Sequence, residues 1–294
     1  MRFPVGPFVD YPNNPILSPQ AGLKRIYNPT VIRDNGIFYM LLRGEGNDGL
    51  TGKIYLAKGN SPTSFKLFPK PCLSPSAEFD IGGCEDPRVV KFNDTYYLTY
   101  VGNSKRYNVS NICLATSKDL INWEKHGPIL QTGKWDSGQL KAGAILNEKI
   151  NGKYVMYFMG EESPWVTAIG IAYSEDLFFW YEPIDEPILS PRDGYFDSQG
   201  VEPGPNPVVI EEGILLIYNG WGKDCIYRPG GVIFSKEDPA KILERMDKPI
   251  LVPNAIEGLN KDYHVVSEGL ISFNDRWFLY YGAGDKFSSL ATYP

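Results

Sequence analysis

The sequence predicts an all-β chain folded as a five-bladed β-propeller, and three observations carry that prediction. The first is composition: of 294 residues, 30 are Gly and 24 are Pro, and 14% are aromatic. Gly and Pro inside helices cost roughly 1 and 3 kcal/mol each, whereas aromatics suit strands and Gly and Pro suit the turns between them. The second is a repeat. A polar lead-in, a short apolar strand, a turn and an aromatic-rich strand recur from residues 28, 85, 141, 202 and 267, a spacing of roughly 60 residues. The third is that a second hairpin follows each of the first four copies. Two hairpins make a four-stranded antiparallel sheet, and five such sheets make a propeller.

The copies, in order, are residues 28–46, 85–103, 141–161, 202–221 and 267–285. Their turns are Asp34-Asn35-Gly36, Asn93-Asp94, Asn151-Gly152, Glu212-Gly213 and Asn274-Asp275, strong short-range hairpin signals. The second hairpins are expected over 54–73, 114–130, 171–189 and 232–251. The fifth unit is short. The segment Pro15-Ile16-Leu17-Ser18-Pro19 resembles the outer-strand text Pro187-Ile188-Leu189-Ser190-Pro191 and is expected to complete the last blade. One propeller domain would then span residues 1–294.

Charge narrows the partners. With 29 Lys+Arg against 35 Asp+Glu the net charge is −6, and no basic cluster exists to bind nucleic acid through phosphates. No apolar run is long enough to span a bilayer. The start, Met1-Arg2-Phe3-Pro4-Val5-Gly6-Pro7, has no apolar core of a signal peptide. A cytoplasmic protein is expected, with an exported form trimmed to a mature start as the alternative. Cys72, Cys84, Cys113 and Cys225 form no CxxC pair, so reduced thiols are expected and a zinc knuckle is unsupported. The sequence leaves room for a homo-oligomer.

In a propeller the lead-ins converge on one rim. They would bring Asn28, Glu85, Asp86, Arg88, Lys141, Glu202, His264 and Glu268 together. The returning strands would add Arg43, Glu45, Glu161, Glu162 and Asp285. A ring of carboxylates with a few cations suits a sugar. Trp165, Trp221 and Tyr227 would offer flat apolar faces, and Asp197, close before Glu202, a bond to a sugar hydroxyl. Paired carboxyls in different environments are the chemistry of glycosidic cleavage. Asp119, Asp176, Trp123, Trp180 and His126 read as turn and packing residues.

Five segments together resemble glycoside hydrolase family 130 across all five units. They are Gly83-Cys84-Glu85-Asp86-Pro87-Arg88 with Tyr96-Tyr97-Leu98-Thr99-Tyr100, Lys141-Ala142-Gly143-Ala144, Asn151-Gly152-Lys153-Tyr154, Glu202-Pro203-Gly204-Pro205 and Tyr281-Gly282-Ala283-Gly284-Asp285. The resemblance implies inverting action on β-mannosides with no metal or other cofactor. Most members of the family are phosphorylases, whose acid would be Asp86 and whose phosphate is held by Arg, Lys and His. A smaller group hydrolyses β-1,2-mannosidic bonds. Where phosphorylases carry a His-Arg-Pro run, this chain reads Tyr157-Phe158-Met159-Gly160-Glu161-Glu162. Added carboxylates on the rim would repel phosphate, at about 4 kcal/mol for like charges ~4 Å apart in a dielectric near 20. The expectation is therefore a β-1,2-mannosidase releasing mannose, with Glu202 and Glu268 as the acid–base pair. A mannoside phosphorylase, supported by Lys141, Asp86 and Arg88, is the alternative. A non-catalytic sugar-binding propeller is a third reading.

Overall fold

The computed structural model describes residues 3–20, 22–47, 51–104, 109–131, 133, 135–136, 138–163 and 165–294. Met1 and Arg2, part of the segment read for a signal peptide, lie outside the described residues. The described residues form strands and turns with no helix. The short strand β1 (Val9–Asp10) precedes five units. The first unit is β2 (Leu23–Asp34), β3 (Ile37–Gly46), β4 (Lys53–Ser61) and β5 (Ser64–Leu73). The second is β6 (Gly83–Phe92), β7 (Thr95–Ser104), β8 (Val109–Ser117) and β9 (Glu124–Pro128). The third is β10 (Leu140–Ile145), β11 (Tyr154–Ser163) and β12 (Val166–Ser174). The fourth is β13 (Gly200–Pro203), β14 (Val208–Ile210), β15 (Gly213–Trp221), β16 (Tyr227–Phe234) and β17 (Ile242–Arg245). The fifth is β18 (Val265–Phe273), β19 (Arg276–Ala283) and β20 (Phe287–Tyr293).

Within each unit sequential strands pair antiparallel, except that β13 and β14 both lie against β15, and β1 adds to β20 through Val9↔Thr292 and Asp10↔Ala291. The hairpin turns fall where the sequence puts them: Asn35, Asn93, Asn151 and Asn274 all take left-handed φ values near 50°. Asn tolerates that conformation better than most residues.

Two details differ from the expected five separate sheets. The third unit has no continuous fourth strand; isolated bridges Tyr173↔Tyr181 and Ile169↔Leu189 stand in its place. Pro183 and Pro187 fall between those bridges, and proline removes the donor that a ladder needs. The third and fourth units also join into one sheet through a single parallel pair, Thr167↔Gly200.

Five apolar clusters lie between consecutive units. One packs Leu41, Ile54 and Leu56 against Val89, Leu98 and Tyr100. The next two join the second unit to the third and the third to the fourth, and another sets Leu215 and Ile217 against Leu279 and Tyr281. The fifth returns to the start, packing Tyr280 and Leu290 against Ile26, Met40 and Leu42. The alternating burial of the strands supplies both faces of each cluster, as period-2 side chains require.

Candidate active site

The first strands of four units break register at matching positions. The ladder skips between Tyr27 and Thr30 in β2, between Glu85 and Arg88 in β6, between Lys141 and Ala144 in β10, and between Ser267 and Gly269 in β18. Three of these bulges hold a non-glycine residue in the left-handed region: Asn28 (φ 53), Asp86 (φ 51) and Ala142 (φ 54). Such strain persists only where the surroundings enforce it, and bulges re-aim side chains next to functional sites. The sequence reading missed this device, although proline after Asn28, Asp86 and Glu202 is a trace of it.

The bulges bring the predicted residues together. Asn28 Nδ2 donates to Asp86 Oδ1 at 2.8 Å, and Arg43 Nη1 lies 3.4 Å from the same oxygen. Arg43 also pairs with Glu45 at 2.8 Å and with Glu85 at 3.1 Å. Tyr27, which the sequence reading passed over, donates to Glu45 at 2.7 Å and lies under the Arg43 guanidinium. Burial alone would raise the Asp86 carboxyl, but Arg43, the Asn28 hydrogen bond, Arg88 and Lys141 outweigh it and hold it below the usual carboxylate range. Glu202 goes the other way. Burial and then the Asp86 charge push it up to about 7 against Arg88, Lys141 and Asn219. Asn219, also missed, bonds Ser267 through both ends of its amide and reaches toward Glu202 at 3.5 Å.

Lys141 is half-buried at the head of β10. It has no hydrogen bond or ion pair with a described residue, and its charge acts on Glu85, Asp86 and Glu202. Opposite it, Trp221 and Tyr227 have ring centroids 4.5 Å apart, and Tyr227 meets His264 edge-on at 5.6 Å. Burial raises the Tyr227 hydroxyl, and the charges of Glu202, Asp285 and Asp86 add to that. Burial raises the Asp285 carboxyl as well, opposed by His264. Asp86, Glu202, Lys141, Tyr227, His264 and Asp285, all half-buried, thus form one cluster whose members act on one another's charge.

Four expected contributions do not hold. Glu268 is 1% exposed. It lies 3.5 Å from Arg88 and lines a cavity of about 290 Å³ with Thr30, Arg33, Lys91 and Asn206, residues beyond the bulges. Burial lifts its carboxyl well above the ordinary range, against the Arg88 charge, and at this exposure it offers no open face for the acid–base role expected of it. Arg88, 2% exposed, donates to the Gly204 and Pro203 carbonyls at 2.6 and 2.8 Å. It fixes the segment carrying Glu202, and these two carbonyls take up donors that the sequence assigned to a sugar. Asp197, fully buried, bonds Tyr218 at 2.6 Å, Arg245 at 2.7 Å and Arg192 at 3.1 Å, so its acceptors serve packing. Tyr157 and Phe158, read as displacing phosphate ligands from the rim, are core residues.

Glu161 accepts the Trp165 N–H at 2.7 Å in the β11–β12 hairpin. The rim is therefore less negative than its carboxyl count. Glu45 and Glu85 share Arg43, while burial raises the Glu202 carboxyl to about 7 and lifts that of Glu268 well above the ordinary range. Among the described residues no group of three or more His, Cys, Asp or Glu is arranged to hold a metal ion, and the four cysteines are free.

A family model described as beta-1,4-mannooligosaccharide phosphorylase matches residues 9–294. The chain belongs to glycoside hydrolase family 130. It is 34% identical to a 1,2-beta-oligomannan phosphorylase of Thermoanaerobacter sp. (strain X514), over 95% of this chain and 94% of that one. It is 32% identical, over the same shares, to a beta-1,2-mannobiose phosphorylase of that strain. Among solved structures, a member from work on family 130 glycoside hydrolases that target β-1,2-mannosidic linkages in Candida mannan has a TM-score of 0.88. It is 29% identical, with 100% of this chain and 95% of that one covered. The beta-1,2-mannobiose phosphorylase of Listeria innocua, in complex with beta-1,2-mannobiose, has a TM-score of 0.85 at 25% identity, covering 97% and 96%.

Proposed function

We propose that this family 130 chain is a phosphorylase of β-1,2-linked mannosides, converting the terminal mannosyl unit and inorganic phosphate into α-mannose 1-phosphate with inversion. This reverses the sequence-based preference for hydrolysis. The observation that carries it is Lys141, an ammonium with no partner among the described residues, set beside carboxyls that are themselves paired or protonated. A dianionic nucleophile needs such a donor, and the repulsion expected from the rim is largely removed. The names of the Thermoanaerobacter relatives support the same reading.

The Asp86/Glu202 pair supplies the proton. Two coupled carboxyls titrate as a unit, and here Asp86 favours the ionised state while Glu202 favours the protonated one near neutrality. One proton is thus held for the departing O2 as phosphate attacks the opposite face of the anomeric carbon. Asn28 and Arg43 orient Asp86, and Tyr227, His264 and Asp285 line the sugar site.

The reading includes the architecture. The five inter-unit clusters and the pairing of β1 with β20 support a closed five-bladed propeller formed as one domain, with the N-terminal segment completing the last blade.

Incubation with β-1,2-mannobiose tests the chemistry. Strict dependence on phosphate, with α-mannose 1-phosphate as product, is expected. Equal release of free mannose without phosphate would instead establish hydrolysis, the reading that a Glu202 carboxyl poised near 7 favours as a base toward water. Lys141→Ala should raise the KM for phosphate at least ten-fold and that for mannobiose far less.

A further inference from the structure

Trp165 is the most solvent-exposed large apolar side chain among the described residues, at 84%. An indole left in water forgoes roughly 2 kcal/mol of burial, and single exposed apolar residues are ordinary. Its position is what sets it apart. Lys141, in the cluster, pairs with Met159 on β11, and that strand continues past it. The β11–β12 ladder closes only at Ser163↔Val166, four residues beyond Met159 and so roughly 13 Å further along at about 3.3 Å per residue. Trp165 caps this extension, with the half-exposed Val166 next to it. Its backbone is held in the left-handed region (φ 70) by its N–H bond to Glu161. The hairpin thus carries a flat apolar side chain, on a backbone held in place, at the far end of the strand that pairs with Lys141.

We propose that Trp165 is the platform of a distal subsite that stacks on a mannosyl ring beyond the bond being cleaved, making the enzyme select chains of three or more mannose units. Distance makes the subsite distal: roughly 13 Å of strand runs from the Lys141 pair to the hairpin end, so the indole stands beyond a single ring seated at the reacting groups. The stacking surface is apolar and sequence-neutral, suiting the C–H face of a pyranose. The inference rests on the mannoside reading above and deepens it by naming chain length.

The test compares wild type, Trp165→Ala and Trp165→Tyr on β-1,2-mannobiose, mannotriose and mannotetraose with phosphate. Loss of one stacking contact is worth a three- to ten-fold change. Trp165→Ala should therefore raise KM by that factor for the tetraose and by less than two-fold for the biose, and Trp165→Tyr should restore most of it. Equal effects on all lengths, or none on any, overturn the proposal. Calorimetric binding of mannotetraose in an Asp86→Asn background separates this inference from the reading beneath it. A three- to ten-fold weaker Kd with Trp165→Ala supports the subsite even if turnover proves hydrolytic, and an unchanged Kd overturns it even if phosphorolysis is confirmed.

Discussion

Burial around Glu202 lifts its carboxyl from an ordinary 4.5 to about 7, so the folded chain keeps a proton that the unfolded chain has already lost over that range. The unfolded state binds fewer protons there, and linkage then makes stability fall as pH rises from about 4.5 to 7 and level off above. Glu202→Gln removes that penalty. The variant should be more stable than wild type at pH 8 by on the order of 1–2 kcal/mol, allowing for partial exposure of the group, with no gain near pH 4.5. Urea unfolding across pH reads this directly, and kcat should collapse in the same variant. Asp197 makes the opposite case, a charged group kept for packing. Asp197→Ala would leave Arg245, Arg192 and the Tyr218 hydroxyl without their acceptor, and removing one partner of a buried pair costs about 3–5 kcal/mol. Denaturation should show that loss, while the KM for mannobiose in the protein that remains folded stays near wild type. Side-chain type and position made both residues look like site carboxylates in the sequence, Glu202 as an acid–base group and Asp197 as a sugar ligand. What separates them is the set of neighbours, Arg192 and Arg245 against Asp86 and Asn219, and of these Arg245 and Asp86 come from distant stretches of chain.

At the scale of elements, the hairpins were legible because their turns are chemically distinctive. Asn35, Asn93, Asn151 and Asn274 occupy the left-handed positions that such turns need. The outer strand of the third unit was less legible, since Pro183 and Pro187 leave bridges where apolar text suggested a strand. The bulges were not legible: Ala142 has no propensity for φ near 54°, and only the ladder on either side forces it there. The aromatic-rich strands do carry one overlooked signal. Gly44, Gly102, Gly160, Gly220 and Gly282 each stand near the rim end of their unit's second long strand. At Gly282 the reason is plain, because a Cβ there would lie 2.1 Å from Asn28 Oδ1 and 2.9 Å from its backbone nitrogen. Gly282→Ala must push Asn28 off Asp86. That frees the Asp86 carboxylate from one lowering contact and should shift the acidic limb of the kcat/KM profile upward in pH, with a several-fold loss of activity at the optimum. An unchanged profile would mean that Asn28 does not set the charge of Asp86.

For the whole molecule, the decisive contacts join the two ends of the chain, and no local pattern announces them. Asp10, in β1, accepts from the Tyr281 hydroxyl at 2.6 Å, from Asn14 Nδ2 at 2.8 Å and from the Asn254 N–H at 2.9 Å. Asn14 in turn exchanges two bonds with the Leu290 backbone. The text around Leu17 suggested that this segment would join the last unit, and Leu17 does bridge Ser288; the polar clasp at Asp10 and Asn14 lay outside that reading. Burial raises the Asp10 carboxyl, a sign that the clasp sits away from water, where an unmatched donor is costly. Asp10→Ala strands the Tyr281 hydroxyl and the Asn254 N–H and should cost about 2–4 kcal/mol. If the ring closes as proposed, every unit is held by two neighbours, and loosening the clasp weakens them all together. Equilibrium unfolding of the variant should then remain one transition, moved to lower urea with an unchanged slope. A separate early transition confined to the fifth unit would show that the clasp seals an edge and not a ring. Unfolding should speed up while refolding barely changes, since the contact between Asp10 and Tyr281 spans nearly the whole chain, forms only after that loop has closed, and is absent from the folding transition state.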